Sequence, residues 1–125
     1  MCLYLDKNYV LNTTEEDITV FKHLEINRNG TYRTTYQEFP VTIGETYSSM
    51  LITVEFCGWD FCSIGLHSFP ELLSAKKDGA VACWENCAVA KCIIPKGSKY
   101  YVGTFGNEIS YASDTIKYVK IVAKL

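Results

Sequence analysis

The chain has 125 residues, 48 % of them hydrophobic and 21 % charged, with a formal net charge of −2. That length suits one domain, expected to span residues 1–125, and the composition excludes a disordered chain. Lysines and carboxylates are interspersed with no basic block, which excludes the charged stripe that a duplex nucleic-acid binder uses to displace counterions.

Aromatic residues make up 14 % of the chain, and Tyr is the commonest of them. Tyr and Phe suit half-buried pleated surfaces, so composition alone leans toward strands. Residues 1–10 lack the basic start and apolar core of a secretory leader. No apolar run approaches the length of a transmembrane helix. A cytoplasmic protein with no membrane partner is expected.

Taken in chain order, residues 2–10 alternate loosely and read as a first strand, ended by the polar run from Asn12 to Asp17. Ile18, Val20, Leu24 and Ile26 fall on alternate positions, with Thr19, Phe21, His23 and Glu25 between them. That period of two predicts a strand with one buried face and places His23 toward solvent. Asn29-Gly30 supplies a tight turn, and residues 31–36 return as the second arm of a hairpin. Pro40 and Gly44 bracket a short connection. Residues 50–56 read as a strand burying Ile52, Val54 and Phe56, broken by Gly58-Trp59-Asp60.

One helix is predicted. Ser68-Phe69-Pro70-Glu71 matches the S-x-x-E capping box, in which the Ser hydroxyl accepts from a first-turn amide and the Glu reaches back. Leu72, Leu73 and Ala75 are expected to face the core. Lys76 and Lys77 suit the negative C-terminal end, and Asp78-Gly79 is expected to stop the helix. Residues 88–94 read as an apolar strand, Pro95-Lys96-Gly97 as a turn, and 98–102 as a strand with Tyr100 and Tyr101 on opposite faces. Residues 103–107 read as a glycine-bearing loop and 115–125 as a last strand. The sum is an α+β, mainly β domain of twisted antiparallel sheets with one short capped helix.

Six cysteines are present, five of them between Cys57 and Cys92. Cys57, Cys62, Cys83 and Cys87 form two close pairs, the arrangement that tetrahedral zinc uses. Their C-x4-C and C-x3-C spacings lack the tight knuckle, so buried thiols are the simpler expectation and no metal is expected. The expected compartment argues against disulfides. There is no G-x-S-x-G, Walker loop or G-x-G-x-x-G, so no nucleophilic triad or phosphate loop is indicated. His67 lies between a strand and the predicted helix, a junction where ligands often bind, and is expected to be half exposed.

Two resemblances are carried by particular residues. Ile64 with His67-Ser68-Phe69, then the run from Cys92 through Ile94-Pro95-Lys96-Gly97-Ser98 and Tyr100-Tyr101 to Gly103, then Tyr111-Ala112-Ser113, resembles a group of small proteins of bacteriophages and gut bacteria. This covers about the last half of the chain and implies a mobile-element setting inside a bacterial host cell. The same half is distantly similar to the core of ADP-ribosyltransferases of the poly(ADP-ribose) polymerase type. There Gly65-Leu66-His67-Ser68-Phe69, the helix, the strand 88–94, and Asn107-Glu108-Ile109 with Tyr111 fall in the family's order. The similarity implies NAD as cofactor, Glu108 as the catalytic carboxylate and His67 in place of a stacking Tyr. The family's early His-Gly-Ser/Thr motif has no counterpart, since Leu24-Glu25 follows His23.

The first expectation is therefore a non-catalytic binding protein of phage type, a counter-defence protein that captures a nucleotide-like ligand or a host protein. His67, Ser68, Glu108, Tyr100 and Tyr111 would line its site, the two tyrosines stacking on a base. An NAD-dependent ADP-ribosyltransferase and a structural or virion-associated domain are the alternatives.

Overall fold

The computed structural model describes residues 3–83 and 86–125. Thirteen strands and one helix are assigned among them: β1 (Leu3–Leu5), β2 (Asn12–Thr13), β3 (Ile18–Ile26), β4 (Tyr32–Thr34), β5 (Pro40–Val41), β6 (Thr46–Ser48), β7 (Ile52–Phe56), β8 (Trp59–Ile64), β9 (Leu66–Ser68), α1 (Leu72–Ala82), β10 (Cys87–Ile94), β11 (Lys99–Phe105), β12 (Glu108–Ser113) and β13 (Thr115–Lys124). A larger sheet runs β7-β8-β1-β11-β12-β9, with β2 also on β11, and a smaller one runs β5-β4-β3-β10-β13-β6. Every pairing is antiparallel. Among the described residues the fold is thus mainly β with a single short helix. Cys2, the expected start of the first strand, lies outside the described residues.

One core lies where the smaller sheet meets the larger: Val20, Leu24, Cys92, Ile94, Ile116 and Tyr118, with Leu66 and Tyr111 packed against them. A second, on the larger sheet, holds Leu3, Leu5, Cys62 and Ala112. A third lies under α1, where Ala75 meets Phe69 and Val89. β3 and β10 are therefore covered on both faces. This overturns the solvent-facing placement of His23: it is 4 % exposed because α1 packs over the alternate face of β3.

The helix departs from expectation at both ends. Glu71 is the N-cap, in extended conformation and with no side-chain cap hydrogen bond. The Ser68 hydroxyl is not available as a cap because Ser68 is the last residue of β9, paired with Tyr111. At the other end, Asp78-Gly79 does not stop the helix, which continues to Ala82. Leu73, expected in the core, is 60 % exposed.

Gly79 has a packing role rather than a terminating one. A Cβ there would lie 3.0 Å from both His23 Cβ and Leu125 Cδ1. The bare backbone lets α1 settle on β3. Gly79→Ala, which in an exposed helix adds about 1 kcal/mol of stability, is expected here to cost about 1–2 kcal/mol through overpacking. A lower urea midpoint with an unchanged m-value would show it.

Three further expectations are corrected. Gly103 to Phe105 continue β11, and only Gly106-Asn107 turn. Trp59 and Asp60 already belong to β8, because Cys57 and Gly58 both take positive φ and turn the hairpin by themselves. Phe56 and Val54 are 71 % and 44 % exposed instead of buried, since β7 is an edge strand of the larger sheet.

Candidate ligand-binding cavity

The site begins with a change of partner along β3. On one side β10 pairs with β3 from Ile18 to Glu25. On the other side β4 pairs only with Leu24, Glu25 and Ile26. Further down, Phe69 takes over, exchanging backbone hydrogen bonds with Phe21 at 2.7 and 2.8 Å. Residues 66–69 thereby pass from the larger sheet, where β9 pairs with β12, to the smaller one. Among the described residues, Lys22 and His23 have no strand beside them on that side, a gap of about 7 Å along the strand.

A cavity of about 200 Å³ opens at this gap. Its floor holds Lys22 and His23. Thr35, Tyr36 and Phe39 of the β4–β5 turn form one wall, Gly65 to His67 another, and Tyr47 and Tyr118 a third. The turn is held by Glu38 N–H donating to Thr34 O (3.0 Å) and by Phe39 N–H donating to Thr34 Oγ1 (2.9 Å).

Lys22 shares its face of β3 with Val20 and Leu24, both fully buried. Its Nζ donates to the His67 carbonyl oxygen at 2.7 Å. Among the described residues no carboxylate lies within ion-pair distance of it. Desolvation by the cavity walls pulls the amine down to about 8, partly opposed by the fields of Cys92 and Asp78. At neutral pH the group is still mostly charged. Lys22 in turn limits the rise of the neighbouring Cys92 thiol, which burial pushes up to about 12.

His67 is 4 % exposed rather than half exposed, because β9 is enclosed between β12 and the smaller sheet. Its Nδ1 lies 3.1 Å from Gly65 O, which fixes the proton on that nitrogen. Its buried Nε2 has no partner among the described residues. Desolvation, then the charge of Lys22, lowers its pKa to about 3, so the ring is neutral through the physiological range. The unfolded chain takes up a proton near pH 6.5 and the folded one does not. The associated stability is therefore present above pH 6.5 and is lost as pH falls toward 3. A loss of about 2 kcal/mol between pH 7 and pH 5 is expected. Urea unfolding at the two pH values checks this, and His67→Gln, which cannot protonate, should remove the difference.

His23 sits between two partners. Its Nδ1 lies 2.7 Å from Thr35 Oγ1 and its Nε2 lies 2.6 Å from Asp78 Oδ2. Asp78 Oδ2 also accepts from Tyr36 O–H at 3.1 Å. Desolvation, reinforced by Asp78, raises the Tyr36 pKa and keeps that hydroxyl a donor.

Of the residues expected to line one site, the structure sets Tyr111 opposite Ser68 and packs Tyr100 on Tyr111, while only His67 lines the cavity and Glu108 lies elsewhere. His67 lies in the cavity wall. Ser68 is fully buried, and its hydroxyl is unpartnered among the described residues. Tyr100 and Tyr111 form a tilted pair 5.4 Å apart on neighbouring strands. Tyr111 joins the core between the sheets, and Tyr100 borders an open hollow with residues 13–19. Glu108 accepts from Ser74 Oγ at 2.9 Å and lies 3.7 Å from Lys77 Nζ, which ties the β11–β12 turn to α1. It does not line the cavity.

The four cysteines are likewise not gathered. Cys57 is exposed at the β7–β8 turn and Cys62 is buried, its Sγ donating to Ile64 O. Cys83 and Cys87 are joined in a disulfide, contrary to the expectation of thiols. Among the described residues no group of three or more His, Cys, Asp or Glu is placed to hold a metal. No helix among them is long and apolar enough to cross a membrane. Comparison of the chain with protein-family models, curated proteins and solved structures returns no match.

Lys22, Thr35 and Asp78 were missed by the sequence reading. One signal was available for the first of them: Lys22 interrupts the period-two apolar row between Val20 and Leu24. Thr35 and Asp78 carry no such mark, since a Thr in a turn and an Asp before a Gly are ordinary surface patterns.

Proposed function

We propose that the protein captures a small anionic, nucleotide-like ligand in the cavity at the β3 gap. The observation that carries this is Lys22, an ammonium group in an enclosed site with no carboxylate partner among the described residues. Holding such a charge away from water is costly, and a phosphate or carboxylate of a ligand supplies the missing counter-charge. Phe39, Tyr47 and Tyr118 supply aromatic surface for a base or similar ring. The volume of about 200 Å³ is below the range of roughly 300–1,000 Å³ that encloses drug-sized ligands. It suits a mononucleotide fragment better than a dinucleotide.

The phage setting rests on the resemblance carried by Ile64, His67-Ser68-Phe69, the run from Cys92 to Gly103 and Tyr111-Ala112-Ser113, which implies no activity; a counter-defence role is the reading of ligand capture in that setting. The ADP-ribosyltransferase reading keeps the order of elements from Gly65 to Tyr111 in its favour. It has no cavity residue behind its catalytic carboxylate, because Glu108 is engaged by Ser74 and Lys77. NAD consumption that is lost in Glu108→Gln would be the result in favour of that reading.

Thermal melts with nucleoside 5′-monophosphates and cyclic dinucleotides, at fixed ionic strength, test the ligand. A nucleotide present at about 100 times its Kd contributes about 2.7 kcal/mol, a rise of several degrees for a chain of this size. No shift with any of them would reject the proposal.

A further inference from the structure

We infer that Thr35, His23 and Asp78 form a nucleophilic triad that accepts an acyl group from small carboxylic esters onto Thr35 Oγ1. The inference goes beyond ligand capture and does not depend on Lys22. A hydroxyl, an imidazole and a carboxylate stand in series at 2.7 and 2.6 Å, and such triads are recognised by geometry and roles rather than by sequence order. The three residues come from three elements: the β4–β5 turn, β3 and α1. Thr35 and His23 both line the cavity, so the hydroxyl end of the series faces enclosed space.

The tautomer of His23 is assigned from its partners, and the Thr35 hydroxyl also lies 3.4 Å from the His23 carbonyl oxygen. Asp78 accepts from His23 Nε2, which leaves Nδ1 with a lone pair facing the Thr35 hydroxyl. The Tyr36 hydroxyl bonded to Asp78 Oδ2 holds the carboxylate in place. The absence of a side chain at Gly79 is what brings α1, and with it Asp78, close to His23. Phe69, 6.0 Å from His23 between ring centres, packs against the imidazole.

The chemistry closes without any further co-reactant than water. Thr35 Oγ1 bonds to the ester carbonyl carbon while its proton passes to His23 Nδ1. Asp78 stabilises the resulting imidazolium. The carbon–oxygen bond to the alcohol then breaks, and the alcohol leaves with the proton from Nδ1, giving acyl-Thr35. Water, giving its proton to Nδ1, attacks the same carbon, and the carboxylic acid departs as Thr35 regains its proton. Thr35 and His23 would be catalytic residues and Asp78 a positioning residue.

The test uses the full chain and p-nitrophenyl acetate and butyrate as probes. Release of p-nitrophenolate and intact mass are followed together, and the acyl group is located by peptide mapping. The expected result is a single acyl group on Thr35. Thr35→Val should abolish it and Thr35→Ser should restore it, a rescue that a merely structural threonine would not give. Asp78→Asn, near-isosteric, should slow acylation at least about 100-fold. An unacylated wild type, an acyl group found on a lysine, or an adduct that persists in Thr35→Val would overturn the inference. If Thr35→Val does not fold, the wild-type map and Thr35→Ser decide it.

Discussion

Replacing Lys22 by methionine is expected to make the protein more stable at pH 7 and unable to hold its ligand. The amine, lowered from 10.5 to about 8 by desolvation, carries a cost on the order of 3 kcal/mol while it is charged. Methionine fills similar volume without that cost. Leaving the His67 carbonyl without its donor takes back about 1 kcal/mol. A net gain of about 2 kcal/mol is expected at pH 7. The sign with pH is fixed by linkage. Below pH 8 the amine is protonated in both folded and unfolded chains, and the cost is fully present. Between pH 8 and 10.5 the folded chain has released its proton and the unfolded one has not, so the cost fades. The advantage of Lys22→Met over the wild type should therefore shrink across that interval. At pH 10 the folded Cys92 thiol, pushed up to about 12, is still neutral, and losing Lys22 only raises it further, so its contribution nearly cancels in the difference. Urea unfolding of the pair at pH 7 and pH 10 measures it. A variant less stable than the wild type at pH 7 would show that the charge is not a burden held for a ligand.

The largest stability effect is expected at Gly103. β1 crosses it so closely that an added Cβ would overlap the Tyr4 carbonyl oxygen and lie 2.8 Å from Leu3 Cγ. Backbone cannot yield as a side chain does, and β1 is held on its other edge by β8. Gly103→Ala must therefore part β1 from β11 and disturb the core that holds Leu3 and Leu5. A loss of about 3 kcal/mol or more is expected, above the usual range for overpacking. Gly58 makes the contrast. It needs positive φ but has nothing within 4 Å of its absent Cβ, so Gly58→Ala should cost only about 1 kcal/mol. Thermal melts that gave the two variants equal midpoints would contradict the close approach of β1 to β11.

Both effects bear on what the sequence could disclose. The apolar strand at 88–94 was legible, because Ala88, Val89, Ala90, Cys92 and Ile94 form a nearly continuous buried apolar run. The hairpin around Asn29-Gly30 was legible from its turn chemistry alone. The capping box at Ser68 was misleading. Its pattern is local, while the seam that claims Ser68 and Phe69 as strand is made by Tyr111 and Phe21, far away in the chain. His23 was misplaced for the same reason: period two shows that its face differs from that of Val20 and Leu24, but not that a helix covers it.

The site was less legible than the fold. His67 was singled out for its junction, and it does line the cavity. Tyr100, Tyr111 and Glu108 were grouped with it, and sheet register does set Tyr111 opposite Ser68 with Tyr100 packed on it, but none of the three lines the cavity. Glu108 starts β12, three residues or about 10 Å of strand before Tyr111, which faces Ser68. The cavity arises where β4 stops and Phe69 begins along β3, and no pattern within either segment marks that boundary.

The central claim is that Lys22 is a counter-charge for a captured ligand. The most direct measurement is calorimetric titration of the four common nucleoside 5′-monophosphates into the wild type and into Lys22→Met at the same salt concentration. At least one nucleotide should bind the wild type at a single site, and the variant should bind it at least about 30-fold more weakly, the loss expected when one partner of a close charge pair is removed. No binding to the wild type, or equal binding to both proteins, would contradict the claim.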